Sequence, residues 1–204
     1  MKIFPVRMIL AVMLLGRMKW NSRNMKMWKN LPLARRITVL LDEMPDRGKS
    51  YTPYDKIYLL HILLENISVS DVPRFAISVL ERQSALFASV GENDMKGYEY
   101  PPRKGEIEAK LIKWKEYTDY DSIGDDEWIS RYGVHLRFDP IERTPLWEDI
   151  YYDVERETDK AIGRRVPRGM GFCFMYWSTK RNVLAKRGIE WCSPHEMNPR
   201  VRFD

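Results

Sequence analysis

The sequence predicts a mainly α-helical protein: a compact helical domain with minor β structure, a short strand or hairpin, and extended N- and C-terminal arms. Three observations support this fold class. Apolar residues recur at helical spacing in several segments, and prolines and glycines stand where those segments begin and end. Only one short segment alternates between apolar and polar residues. With 204 residues, 44% of them hydrophobic, the chain is long enough for one ordinary domain with appended arms.

The helical domain is predicted over residues 31–163. Its first helix begins at Leu31-Pro32 and ends at Met44-Pro45, since proline is tolerated in a first turn but not inside a helix. A second helix begins at Pro53 and reaches about residue 67. A third is capped by Ser70 or Asp71 and reaches about residue 90. Helices are also predicted over residues 106–117 and 126–132, the latter with Asp125 as its cap.

One strand and a last core helix complete this domain. Residues 134–138 alternate between apolar and polar side chains, which is typical of a half-buried strand. Thr144-Pro145 predicts a helix start with threonine as the cap, and this helix extends to about residue 162. Six acidic residues lie between positions 148 and 159, so we expect an acidic surface on this helix.

The N-terminal segment, residues 1–30, is predicted to be a basic and apolar arm. Residues 8–16 form an uncharged apolar run between Arg7 and Arg17, too short to span a bilayer as a helix. No small-residue cleavage site follows it, so we expect neither secretion nor a membrane partner. An exposed apolar arm needs cover from its own core or from another subunit. The predicted interface residues are Ile9, Leu10, Met13, Leu14, Trp20 and Trp28.

Charge is segregated along the chain, which carries +5 overall. Residues 1–36 have nine Lys or Arg and no acid. Residues 37–163 have sixteen basic and twenty-six acidic side chains, and residues 164–204 have nine basic and three acidic ones. Such an arrangement allows two interpretations. The basic ends fold back on the acidic middle of the same chain or of a neighbouring subunit, or they bind nucleic acid.

The C-terminal segment, residues 164–204, is predicted to be basic and aromatic, packed on the core or extending from it. Its glycine-arginine loop has the composition of an anion-binding turn, and a helix with aromatic and basic residues follows and stops at Arg187-Gly188. This helix is typical of a packing face, but basic residues interleaved with aromatics also suit a nucleic-acid backbone. The candidate anion- or nucleic-acid-binding residues are Arg164, Arg165, Arg168, Lys180, Arg181, Lys186 and Arg187.

Metal or thiol chemistry is an alternative for the same segment. Cys173, Cys192 and His195 are its candidate zinc ligands, but a structural zinc site needs four ligands. Catalysis by Cys192 with His195 would need an orienting group that the sequence does not identify. Ser193 followed by Glu196 predicts instead a capping box at a helix start. We therefore predict no catalytic residue and no cofactor, and free thiols in a reducing compartment, the cytoplasm.

The C-terminal segment also resembles a group of known sequences. The motifs are Gly169-Met170-Gly171-Phe172-Cys173, Trp177-Ser178-Thr179-Lys180-Arg181, Gly188-Ile189-Glu190-Trp191, Ser193-Pro194 and Asn198-Pro199. They resemble the tail of uncharacterised small proteins from phages of gut Bacteroidetes. The likeness covers about a fifth of the chain and includes no catalytic motif. It implies a virion or phage-encoded setting, with head–tail connector or adaptor proteins as the class.

The function that these observations predict is structural. We expect a non-enzymatic assembly protein that contacts other copies of itself and other assembly proteins, as a virion connector or ring component would. One alternative is a nucleic-acid-binding accessory protein that uses the C-terminal region. The other is a zinc- or thiol-dependent enzyme.

Overall fold

Helices dominate the structure, which is a computed structural model describing residues 5–98, 101–133, 136–163 and 165–203. The mainly helical class predicted from the sequence is confirmed. The α-helices are α1 (Val6–Arg23), α2 (Asn30–Asp42), α3 (Pro53–Leu64), α4 (Pro73–Leu86), α5 (Lys104–Thr118), α6 (Asp125–Tyr132), α7 (Pro145–Ile162), α8 (Phe172–Ala185) and α9 (Pro194–Met197). Short 3-10 turns cover Met27–Lys29, Phe87–Ser89 and Pro140–Arg143.

The predicted minor β structure is wrong for the part of the chain that the structure describes, which contains no strand. Of the predicted strand, residues 134 and 135 lie outside the described residues, and residues 136–138 are neither helix nor strand. The Arg137 backbone N–H donates to Asn198 Oδ1 at 2.8 Å, and its carbonyl accepts from Asn198 Nδ2 at 2.9 Å. One side-chain amide thus satisfies the backbone groups that a neighbouring strand would otherwise pair.

The chain folds as two compact units, Met1–Lys115 and Glu116–Asp204, and the division falls within α5. The sequence-based domains, by contrast, are separated at residues 30/31 and 163/164, where charge and composition change. Charge segregation and packing therefore divide the chain at different places.

The first unit includes α1, so the described part of the predicted N-terminal arm is a packed helix and not an extended segment. Met8, Ala11, Leu15 and Met18 are at most 3% exposed. They recur every three or four residues, which places them on one side of α1, and α1 packs against α2 and α3. The arm prediction fails because this periodicity was hidden within a run that is apolar on all sides.

A buried amide connects three helices of the first unit. The Asn30 side chain at the start of α2 is fully buried. Its Nδ2 donates to the Met18 carbonyl of α1 at 3.1 Å and to the Asn66 carbonyl beyond α3 at 2.7 Å. Its Oδ1 accepts from Asn21 Nδ2 at 2.8 Å. Because an unpaired buried amide is unfavourable, this network fixes how the end of α1 meets the ends of α2 and α3.

The second unit is organised in part around the guanidinium of Arg143, whose side chain is 1% exposed. It donates to the carbonyls of Glu116 and Tyr117, at 3.2 and 2.5 Å, in the last turn of α5. It also pairs with the Asp125 carboxylate of α6 at 2.6 Å. Asp125 was predicted to cap α6, but it is the first helical residue, and Gly124 precedes it. One cation thus satisfies carbonyls that the helix end leaves without partners and neutralises a nearby acid.

The remainder of the second unit is a packed pair of helices, α7 and α8. Thr144 caps α7 with Pro145 in its first turn, and Ser193 forms a capping box with Glu196 at α9, so both predicted helix starts are confirmed. Between α7 and α8 lies an apolar cluster to which both helices and the residues after α8 contribute. Its buried members are Trp147, Val154, Val183, Leu184 and Trp191.

Replacing the buried arginine tests its role in the second unit. We expect Arg143→Ala to lower the free energy of unfolding by about 3–5 kcal/mol, because it leaves a partly buried carboxylate and several carbonyls without their donor. Urea unfolding followed by circular dichroism measures the change. Arg137→Ala is the matched control, since Arg137 also pairs with an acid of α6 but at an exposed position. The control should change stability by less than about 1 kcal/mol, and equal losses in the two variants would contradict this role.

Candidate interaction surface on the first helix

The outward side of α1 is apolar, although it faces away from the interior of the first unit. Val6, Ile9, Leu10, Val12 and Met13 are between 42% and 72% exposed. Trp20, two turns further along on the same side, is 51% exposed. We call these six side chains the outer face of α1. Most of them are exposed because the N-terminal half of α1 is apolar on every side, whereas packing against α2 and α3 covers only one side of the helix.

A cleft of about 310 Å³ opens beside the outer face, between α1 and α3. Its α1 wall includes the buried Met8 and three residues of the outer face, Ile9, Val12 and Met13. The opposite wall is formed by Asp55, Tyr58, Leu59 and Tyr98. The surface is therefore a ridge of aliphatic side chains next to a concave, largely apolar depression.

Asp55 is the charged group in the cleft wall, and it is held in place from two sides. Its Oδ2 accepts from the Thr52 backbone N–H at 2.6 Å and from Thr52 Oγ1 at 3.0 Å, which completes the capping box that starts α3. Its Oδ1 accepts from the Tyr98 hydroxyl at 2.5 Å. The carboxylate is thus oriented by its own helix and by a residue from a distant connector.

Tyr98 forms a rigid part of the cleft wall. Its ring packs against Tyr54 and Tyr58, with ring centroids 4.9 and 4.8 Å apart. Burial, and then the hydrogen bond to Asp55, raise the pKa of the Tyr98 hydroxyl above its ordinary value. Tyr98 therefore stays protonated well beyond neutral pH and remains a donor to Asp55.

The outer face belongs to a segment of the chain that is rich in basic residues. Residues 1–36 contain no acid, and Arg17, Lys19 and Arg23 are exposed on α1. The Arg17 guanidinium stacks over the Trp20 ring at 4.4 Å from its centroid. Arg7 is paired at 2.9 Å with Glu43, so an acid from outside the helix meets the cation at its N-terminal end. The apolar ridge is therefore accompanied by positive charge towards its C-terminal end.

Most of the predicted interface residues lie on this surface. Ile9, Leu10, Met13 and Trp20 belong to the outer face. Leu14 is half-buried on the side of α1, and Trp28 is half-buried in the 3-10 turn before α2, with the Lys29 ammonium 5.1 Å above its ring. The cleft was not predicted. Thr52 and Asp55 have the spacing of a capping box, but no sequence signal brings Tyr98 to Asp55.

The predicted anion-binding residues are dispersed and mostly paired with acids of the second unit. Arg187 pairs with Glu157 through two hydrogen bonds of 2.9 Å. Arg168 pairs with Asp159, and Arg181 pairs with Glu196. Arg165 and Lys186 are exposed, and Arg164 lies outside the described residues. Two basic residues of the C-terminal segment, Arg168 and Arg187, thus pair with acids of α7, in agreement with the interpretation that a basic end folds back on the acidic middle of the same chain.

Lys180 is excluded from a phosphate-binding surface by its burial. Its side chain is 8% exposed and pairs at 2.8 Å with Glu155, itself 7% exposed. The ammonium lies 4.7 Å from the ring centroid of Trp147 and 5.3 Å from that of Trp191. It is therefore an interior cation that aromatic faces and one carboxylate compensate.

The candidate zinc ligands do not form a metal-binding group in the described part of the chain. Cys192 is exposed and Cys173 is half-buried, and both are free thiols. The His195 ring packs edge-on against Phe174, with centroids 5.4 Å apart. No group of three His, Cys, Asp or Glu side chains among the described residues is arranged to hold a metal ion. His195 thus belongs to an aromatic cluster next to the α9 capping box.

No protein-family model, curated protein or solved structure matches this chain. Across the described ranges, no helix combines the length and the apolar character needed to cross a bilayer.

The two faces of α1 can be distinguished by one substitution made on either side. We expect Met13→Gln to change the free energy of unfolding by less than about 0.5 kcal/mol, because Met13 is 66% exposed. Met8→Gln should cost about 2–4 kcal/mol, because Met8 is 3% exposed and a buried amide would lack partners. Chemical denaturation of both variants measures this difference. Similar losses at the two positions would show that the outer face is covered within the folded chain.

Proposed function

We propose that this protein is a non-enzymatic assembly protein that contacts other copies of itself through the outer face of α1. The observation that carries the proposal is the row of exposed aliphatic side chains on α1 beside an apolar cleft. Soluble proteins seldom expose contiguous apolar surface unless it binds something. Single exposed hydrophobic residues need no such explanation, but here five occur within eight positions of one helix.

The shape of the surface supports a protein partner. Stable interfaces are centred on a few large side chains that fill pockets on the partner, surrounded by contacts that exclude water. A ridge with an adjacent depression provides such a pocket. The cleft of about 310 Å³ is at the lower end of the roughly 300–1,000 Å³ typical of small-molecule sites. It is large enough to hold one bulky side chain of a partner.

Nucleic-acid binding through the C-terminal region has less support. Of the seven cations proposed for it, Arg168, Arg181 and Arg187 are paired with acids, and Lys180 is buried. Neutralising phosphates would require these cations to exchange intramolecular partners for intermolecular ones.

The head–tail connector or adaptor class implied by the C-terminal resemblance is one setting in which a subunit of this kind functions, because connectors are rings of identical chains. That setting stays a prediction. The proposal made here requires only that the chain assembles through α1.

Native mass spectrometry and size-exclusion chromatography with light scattering test the proposal. We expect the wild-type chain to form an oligomer, and the double variant Ile9→Asp/Met13→Asp to be monomeric, because two buried carboxylates are incompatible with an apolar interface. The control is Val39→Asp, which places the same charge at another exposed aliphatic position, on α2. It should assemble as the wild type does. A wild-type chain that remains a folded monomer across the accessible concentration range would refute the proposal.

A further inference from the structure

We infer that the cleft between α1 and α3 receives Tyr120 of a second copy, with Asp119 and Asp121 of that copy lying against the cations of α1. This inference rests on the proposed function and goes further, because it names the surface of the neighbouring copy that docks. It also makes the contact head-to-tail, since the two surfaces are different parts of the chain.

The chemistry of the cleft favours an aromatic side chain with a hydrogen-bond donor at its tip. Its lining residues are apolar except for Asp55 and the two tyrosines, Tyr58 and Tyr98, and the Tyr98 hydroxyl already donates to Asp55. A carboxylate can accept about four hydrogen bonds. Oδ2 of Asp55 accepts two from Thr52, whereas Oδ1 accepts one from Tyr98. Oδ1 therefore has capacity for one further donor, such as a phenol hydroxyl.

Charge argues against pairing of α1 with α1 of a second copy. A two-fold symmetric contact would bring the same surface patch together twice. α1 carries four cations and no acid, and Glu43 pairs with one of them, Arg7, so such a contact would bring the other three cations of each copy together. The complementary surface must therefore be acidic, and it must lie elsewhere on the chain.

The segment with that character is residues 116–127, which contains six acids and no lysine or arginine. Several of its acids are already used within their own chain: Asp125 pairs with Arg143, and Glu127 and Glu116 pair with Arg131. Asp119, Tyr120 and Asp121 are consecutive and exposed, whereas the exposed Asp126 and Glu127 pair with Arg137 and Arg131. Tyr120 is 44% exposed, so part of its ring is accessible to a partner.

The turn that presents Tyr120 is already ordered in the free chain. The backbone N–H groups of Ser122 and Ile123 both donate to the Asp119 carbonyl, at 3.3 and 3.1 Å. Ile123 is 5% exposed and anchors the far end of the turn. One face of the Tyr120 ring rests on the Arg143 guanidinium, 4.8 Å from the ring centroid. Docking would thus require little ordering of this segment, which favours affinity.

The positions of charge on α1 match this turn. Arg17 lies one helical turn beyond Met13 on the same side, so a cation is placed just past the apolar wall of the cleft. A tyrosine inserted between Met13 and Tyr58 would carry an acid on either side of it towards that cation. A contact between different surfaces closes into a ring when the rotation between copies permits, and otherwise extends into a filament.

The test is a set of association constants for the full-length chain, from sedimentation equilibrium at low salt. We expect Tyr120→Ala to weaken association about thirtyfold or more, as for a central anchor residue. Tyr120→Phe retains the ring and should weaken it about tenfold, by loss of the hydrogen bond to Asp55. Circular dichroism and thermal unfolding establish that each variant is folded.

Charge reversal provides an independent test of the same contact. Asp119→Lys with Asp121→Lys should weaken association, and adding Arg17→Glu should restore at least part of it, whereas Arg17→Glu alone should weaken it. The matched control is Asp149→Lys, which reverses an exposed acid of α7 and should leave association unchanged. No restoration in the combined variant would overturn the pairing of Arg17 with the acidic turn.

The outcomes separate this inference from the proposed function. If Ile9→Asp/Met13→Asp abolishes assembly while the Tyr120 and charge-reversal variants associate as the wild type does, the inference is overturned and the proposed function stands. A monomeric wild-type chain overturns both. Binding of the monomer to phosphatidylglycerol vesicles, lost in Ile9→Asp/Met13→Asp, would likewise overturn both, since it identifies an anionic lipid surface as the occupant.

Discussion

The structure of the first unit depends on α1, a helix whose N-terminal half is apolar on all sides. Burying Met8, Ala11, Leu15 and Met18 stabilises the fold, by about 1.5–3 kcal/mol for each large side chain. The same composition leaves Ile9 and Met13 in water on the opposite side. These positions contribute less to the interior than the buried side of α1 does, because about half or more of each side chain is exposed. Their apolar character therefore calls for an explanation outside the single chain, and an intermolecular contact provides one.

Charge has different consequences in the two units. In the second unit the basic α8 lies against the acidic α7, and the Lys180–Glu155 pair is enclosed between Trp147 and Trp191. There the opposite charges compensate each other within one chain. In the first unit the cations of α1 have no acid on their own helix. Two basic segments with the same number of cations can thus differ in structure. The cations of one pair with acids of the same chain, whereas those of the other lie on the surface, and only the structure distinguishes these cases.

The sequence predicts those elements that local chemistry determines. Thr144-Pro145 and Ser193 with Glu196 mark helix starts correctly, because capping involves residues three positions apart. The alternation over residues 134–138 misleads, because a strand requires a partner, and the described part of this segment pairs with the side chain of Asn198 instead. The cleft cannot be predicted from local sequence patterns. Asp55 and Tyr98 are 43 positions apart and meet only through the packing of α3 and its connector.

Arg143 links the stability of the second unit to the surface that it presents. Its guanidinium satisfies carbonyls in the last turn of α5 and pairs with Asp125 at the start of α6. The turn with Tyr120 lies between those two helices, and Arg143 also supports the Tyr120 ring. Because the cation is held by buried partners, the ring that rests on it is held as well. An exposed tyrosine on an otherwise unsupported acidic loop would lose considerable conformational entropy on docking. Here the buried Arg143 interaction, which also connects α5 to α6, already restricts the Tyr120 ring. This restriction makes the turn a suitable anchor.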